Sequence, residues 1–68
     1  MNTVEVPAID IRIGDKIESS HKVWTVMFAT LVRGTMIEIT VKEVGLQARM
    51  SPERKLLVTK NAPIKKVI

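Results

Sequence analysis

Seven consecutive residues, Met36, Ile37, Glu38, Ile39, Thr40, Val41 and Lys42, alternate between apolar and polar side chains almost without exception. Ile37, Ile39 and Val41 fall on one side of an extended chain and Glu38, Thr40 and Lys42 on the other, the period-two signature of a strand with one buried face. A helix would scatter the three β-branched residues around its circumference. The segment is a strand, and the chain around it is punctuated to match. Arg33, Gly34 and Thr35 make a tight-turn signal, because Gly34 is free to take positive φ, so residues 23–32 read as the preceding antiparallel strand. Its apolar residues fall on both faces, Trp24, Val26 and Phe28 on one and Val23 and Met27 on the other, as expected of a long bent strand serving two sheets of a small barrel.

After a second turn at residues 42–45, Leu46, Ala48 and Met50 alternate with Gln47 and Arg49 as another amphipathic strand. Ser51 is a good N-cap, Pro52 suits the first helical position and Glu53 complements the helix dipole. Few residues separate them from Leu56, Leu57 and Val58, so the helix is a single turn, of 3-10 type, before a last core strand over residues 55–59. Toward the start, residues 3–6 form an edge strand that Pro7 ends. A single turn follows over residues 8–11, then a bend at Gly14 and Asp15, a strand from Lys16, and a polar hairpin loop over residues 19–22. The expected fold is all-β: a small SH3-like or KOW-like barrel of five or six antiparallel strands with one 3-10 turn before the last core strand. Residues 1–60 make one domain. Residues 61–68 are a tail or an added edge strand, since Ile64, Val67 and Ile68 have something to bury. Closing the sheet would remove exposed edges, a hazard for a chain with 46% apolar residues.

Sixty-eight residues are near the lower limit for a fold without a staple, and the chain has no cysteine, which removes disulfides and thiolate metal sites together. The single histidine, His21, cannot build a zinc site without carboxylate help. Residues 1–7 lack the basic start and apolar run of a signal peptide, and residues 23–32 are too short to span a bilayer, so a cytoplasmic protein is expected.

The run Asp10, Ile11, Arg12, Ile13, Gly14, Asp15, Lys16, Ile17, followed by Val23, Trp24, Thr25 and Val26, resembles the KOW-like N-terminal domain of bacterial elongation factor P over roughly residues 3–60. That resemblance implies the fold. It does not carry the activity, because the loop that presents a working lysine in that family is here shorter, residues 32–36, with Arg33 in the lysine's place, and the family's two later barrels have no counterpart. In length and pattern the chain is also similar to small orphan proteins of actinobacterial bacteriophages, which implies a phage-encoded module acting in the host cytoplasm.

No constellation points to catalysis. Asp10 and Asp15 flank one bend, where an aspartate bonding nearby backbone amides explains Asp15 better than acid–base chemistry. Ser19, Ser20 and His21 are adjacent in a loop, where nucleophile and base are hard to align, and the three glycines are isolated, so no phosphate-binding loop exists. The expectation is a non-enzymatic binding module without cofactor, metal, small-molecule substrate or membrane. Trp24 is expected in the core. Met27 and Met36 could share an outer apolar patch with Val23, and with Ile64, Val67 and Ile68 they form the candidate protein interface for a partner or for self-association. The net charge of +4 is lopsided: residues 1–45 carry five basic and six acidic side chains, residues 46–68 six basic and one acidic. Arg33, Arg49, Arg54, Lys55 and Lys60 are therefore candidate contacts to an anion such as a nucleic-acid backbone. With so few aromatics to stack on bases, protein interaction is preferred to the alternative of a nucleic-acid or ribosome-associated module.

Overall fold

The computed structural model describes residues 2–45 and 53–68. The strand signature at 36–42 becomes β4 (Met36–Glu43), with Ile37, Ile39 and Val41 all buried. Around it lie β1 (Thr3–Pro7), a 3-10 turn (Ala8–Asp10), β2 (Lys16–Ser19), β3 (Lys22–Arg33), β5 (Arg54–Thr59) and β6 (Pro63–Val67). All pairings are antiparallel in one sheet of order β1-β6-β2-β3-β4-β5. The fold is thus all-β with six strands. Among the described residues its ladder does not close on itself, so β1 and β5 stand there as edges rather than as the seam of a complete barrel. The 3-10 turn seen here stands between β1 and β2. The helical turn expected from Ser51 and Pro52, and the strand expected from Leu46, Ala48 and Met50, lie outside the described residues.

One apolar cluster fills the concave side. Ile17, Trp24, Val26, Ile37, Ile39 and Val41 come from the sheet and Ala8 and Ile11 from the segment that joins β1 to β2; Val6, Ala29, Leu56, Val58 and Ile64 pack against them. Ile17, Ile39, Val26 and Val41 are fully buried, each contributing about 1.5–3 kcal/mol of burial free energy. Trp24, 7% exposed, lies in this core, its indole Nε1–H donating to the Ser19 carbonyl at 3.0 Å and the Arg54 guanidinium over its ring at 5.5 Å. That stacking is worth about 0.5–1 kcal/mol at such an exposed guanidinium.

Phe28 corrects the alternation read from the sequence. Val26 pairs with Val41 and Phe28 with Thr40, so Met27 is an extra residue on β3. A bulge of this kind reverses which side the following residues face. Phe28 therefore leaves the Trp24 side and stands 57% exposed, while Ala29 turns to the core. On the outer face Thr40 sits in register between Phe28 and Lys55 and is buried there. A second irregularity between Leu31 and Arg33 shifts the strand again before its hairpin.

The last segment corrects the other boundary. Residues 63–67 are neither a frayed tail nor an edge: β6 lies between β1 and β2, paired with both. Ile64 faces Val6 across the ladder and packs on the core.

Candidate functional site

The bend over residues 12–15 is built by its own side chains. The Asp15 carboxylate accepts the Arg12 backbone N–H at 2.9 Å, and Arg12 Nη1 donates to the Ile9 and Ile11 carbonyls at 2.8 and 3.2 Å. Gly14, at φ +92°, donates its N–H to the Val26 carbonyl and ties the bend to β3. Asp15 also meets Lys66 Nζ at 3.7 Å. These contacts make Asp15 a structural carboxylate, and no hydrogen bond joins it to Asp10.

Beside this bend is a concavity with a volume of 580 Å³. Its floor is apolar and buried (Ala8, Ile11, Ile37), and its rim is apolar and exposed: Ile9, Ile13 at 69% and Leu31 at 59%, with Arg12 the one charged lining residue. None of these rim residues is among the candidate contacts expected from the sequence. Ile9 could have been found by noting that a three-residue turn has room to bury one of its two apolar members, here Ala8.

A second concavity, 340 Å³, lies where the β2–β3 hairpin approaches β5 and β6, lined by Glu18, Ser20, His21, Leu56, Ile64 and Lys65 among others. Here Ser20 and His21 are turn residues at φ 54° and 63° between the paired Ser19 and Lys22. Among the described residues, no hydrogen bond joins hydroxyl, imidazole and carboxylate, and no three potential metal ligands come together. Nor is any described helix long and apolar enough to cross a membrane.

The basic candidates do not converge. Arg33 pairs with Met36 at one end of β4, Arg54 with Val41 at the other, five positions or about 17 Å apart along the strand. Arg54 belongs to the inner face, over Trp24, while its neighbour Lys55 is on the outer face, 4.0 Å from Glu38. Lys60 is half-buried in the turn after β5, near the Arg33 end. Arg49 lies outside the described residues. The lopsided charge of the sequence is largely evened out in space. Lys65 stands in register between Glu5 and Glu18, and Lys66 reaches Asp15, because β6 threads between the two acidic N-terminal strands.

Of the apolar candidates, Val23, Met27, Met36 and Val67 are half-buried and Ile68 exposed, whereas Ile64 is turned to the core. Val23 and Met36 lie at opposite ends of the β3–β4 ladder, so the six do not form one patch. The exposed outer face is instead marked by Phe28 and by Leu57. Comparison with protein-family models, with curated proteins and with solved structures finds no match to this chain.

Proposed function

We propose that this chain is a non-enzymatic protein-interaction module that self-associates. One observation carries the reading. Among the described residues, nine large apolar side chains are exposed (Val4, Ile9, Ile13, Phe28, Leu31, Val32, Val44, Leu57 and Ile68) against eight apolar residues in the core. Scattered exposed apolar residues are ordinary on any protein surface. Here they include Ile9, Ile13 and Leu31 on the rim of a concavity, and Phe28 and Leu57 on the outer sheet face, where contact with another protein would remove them from water. The KOW-like or SH3-like kinship is supported by the strand order, a β2–β5 meander with β6 returning beside β2. A phage-encoded origin and a place in the host cytoplasm belong to this same reading and rest on size and pattern.

The nucleic-acid alternative is supported less, because Arg33, Arg54, Lys55 and Lys60 are divided between two ends and two faces. Light scattering with and without mixed RNA and DNA fragments at low salt separates the two. A mass above the monomer that ignores nucleic acid is expected. A monomer that gains mass with nucleic acid, and loses it as salt rises, refutes the proposal.

A further inference from the structure

An open sheet has two edges, and these two are built differently. Ladder hydrogen bonds in an antiparallel pair alternate, so every second residue turns its N–H and C=O toward the neighbouring strand and the others turn theirs away. At the β1 edge, the Ile68 N–H donates to the Asn2 carbonyl at 3.1 Å, which sets the phase: Val4 and Val6 bond to β6, and Thr3, Glu5 and Pro7 face the free edge. Pro7 has no N–H to donate and Glu5 places a carboxylate beside the edge, both deterrents to strand addition.

At the β5 edge, the Lys60 N–H donates to the Thr35 carbonyl at 2.6 Å, so Arg54, Leu56 and Val58 bond to β4 while Lys55, Leu57 and Thr59 face outward. Lys55 sets a charge beside this edge as Glu5 does beside the other, but each of these three residues has its N–H, the β4–β5 register runs without a bulge, and Leu57 at the centre is 61% exposed. Among the described residues no strand pairs with this edge.

We propose that β5 pairs antiparallel with β5 of a second copy about a two-fold axis through Leu57, an inference that rests on the self-association reading and names its strand and register. In this register Leu57 opposes Leu57 of the second copy, and Lys55 opposes Thr59 in both directions. These are the residues whose backbone groups point outward, so each pair exchanges both of its N–H···O bonds. The side chains agree with the backbone. The two exposed leucines meet and Leu56 opposes Val58 on the other face, while the like-charged Arg54 and Lys60 oppose each other only where the ladder runs out past the end of β5. A strand that satisfies its own edge in this way fits the isologous contact of a two-fold dimer. Each copy carries a net charge of +4, so the pairing strengthens as salt screens repulsion, opposite to nucleic-acid binding.

The absence of cysteine makes single-cysteine variants of the full chain a clean probe. In Leu57→Cys the two Cα atoms are about 5.5 Å apart, within the roughly 4.4–6.8 Å that a disulfide spans. In Lys55→Cys they are offset four positions along the ladder, about 13 Å, beyond its reach. Mild oxidation is expected to give a covalent dimer from Leu57→Cys and none from Lys55→Cys. Leu57→Pro removes an edge-facing N–H and none of the bonds to β4, so it is expected to give monomer mass with the strand circular-dichroism signal kept. If the unmodified chain is multimeric while Leu57→Cys does not cross-link and Leu57→Pro leaves the mass unchanged, the β5 pairing is wrong and self-association stands on another surface. A closed ring of more than two copies also overturns it, since that requires β5 to join a different surface of the next copy. A chain monomeric at every concentration removes both readings together. The cysteine pair decides the matter even if Leu57→Pro fails to fold.

Discussion

The β2–β3 hairpin closes through Ser20 and His21, both at positive φ (54° and 63°) between the paired Ser19 and Lys22. Two consecutive positive φ values are the mark of a type I′ turn, whose hand matches the twist of the flanking strands and which favours Asn followed by Gly. An L-residue with a Cβ pays about 1–2 kcal/mol to sit there, whereas glycine avoids that strain and gives back about 0.5–1 kcal/mol in unfolded-state entropy. Ser20→Asn with His21→Gly should therefore stabilise the domain by about 1 kcal/mol. For a domain of this size that corresponds to a rise in Tm of about 4–8 °C. Thermal melts followed by circular dichroism, at a chain concentration low enough to hold association constant, measure it. Gly34→Ala supplies the opposite sign: its φ is +52° and a Cβ there would touch nothing within 4 Å, so backbone strain alone should lower Tm by a comparable amount. The reasoning is refuted if His21→Gly alone lowers Tm, the response of a residue with ordinary negative φ, where added chain entropy is the whole effect.

Two further outcomes test the corrected strand assignments. Phe28→Leu should cost about 0.5 kcal/mol or less because the bulge at Met27 leaves Phe28 exposed, while Val26→Ala, in the core, should cost about 2 kcal/mol. Similar losses in urea unfolding would mean that the strand alternates through Met27 without a bulge. Deleting residues 63–68 should abolish the folded circular-dichroism signal, since among the described residues β6 is the one strand paired with β1 and is also a partner of β2. A folded, truncated chain that had lost only its association would instead make β6 an appendage.

The features legible in the sequence were those fixed by neighbours along the chain. The Ile37, Ile39 and Val41 stripe, the Gly34 turn, the turn beginning at Ala8 and the Asp15 bend each follow from a few adjacent residues, and each stands in the fold where those residues put it. Features fixed by partners distant in sequence were not legible. The bulge at Met27 depends on how β3 registers against β4, and nothing in a run of Val, Met and Phe marks which residue is extra. Residues 64–68, Ile-Lys-Lys-Val-Ile, carry no alternation that would reveal a strand with two neighbours. The candidate basic surface failed to gather for the same reason. Lys65 and Lys66 look unopposed in a list of residues, and only the placement of β6 beside Glu5, Glu18 and Asp15 shows what faces them. The apolar rim of Ile9, Ile13 and Leu31 required knowing how the segment that joins β1 to β2 packs on the sheet.

The placement of β6 also sets an order of events. Among the described residues β1 pairs with β6 alone, so residues 3–7 wait for residues 63–67. The β3–β4–β5 meander is local, by contrast, and can assemble at small loop-closure cost while β1 is still unpaired. Until β6 arrives, Val6 and the inner side of Ile17 lack the Ile64 strand that helps cover them. A nascent chain therefore holds a half-built sheet with a sticky flank until residues 63–67 emerge, and its window for pairing with the wrong strand closes only when β6 docks.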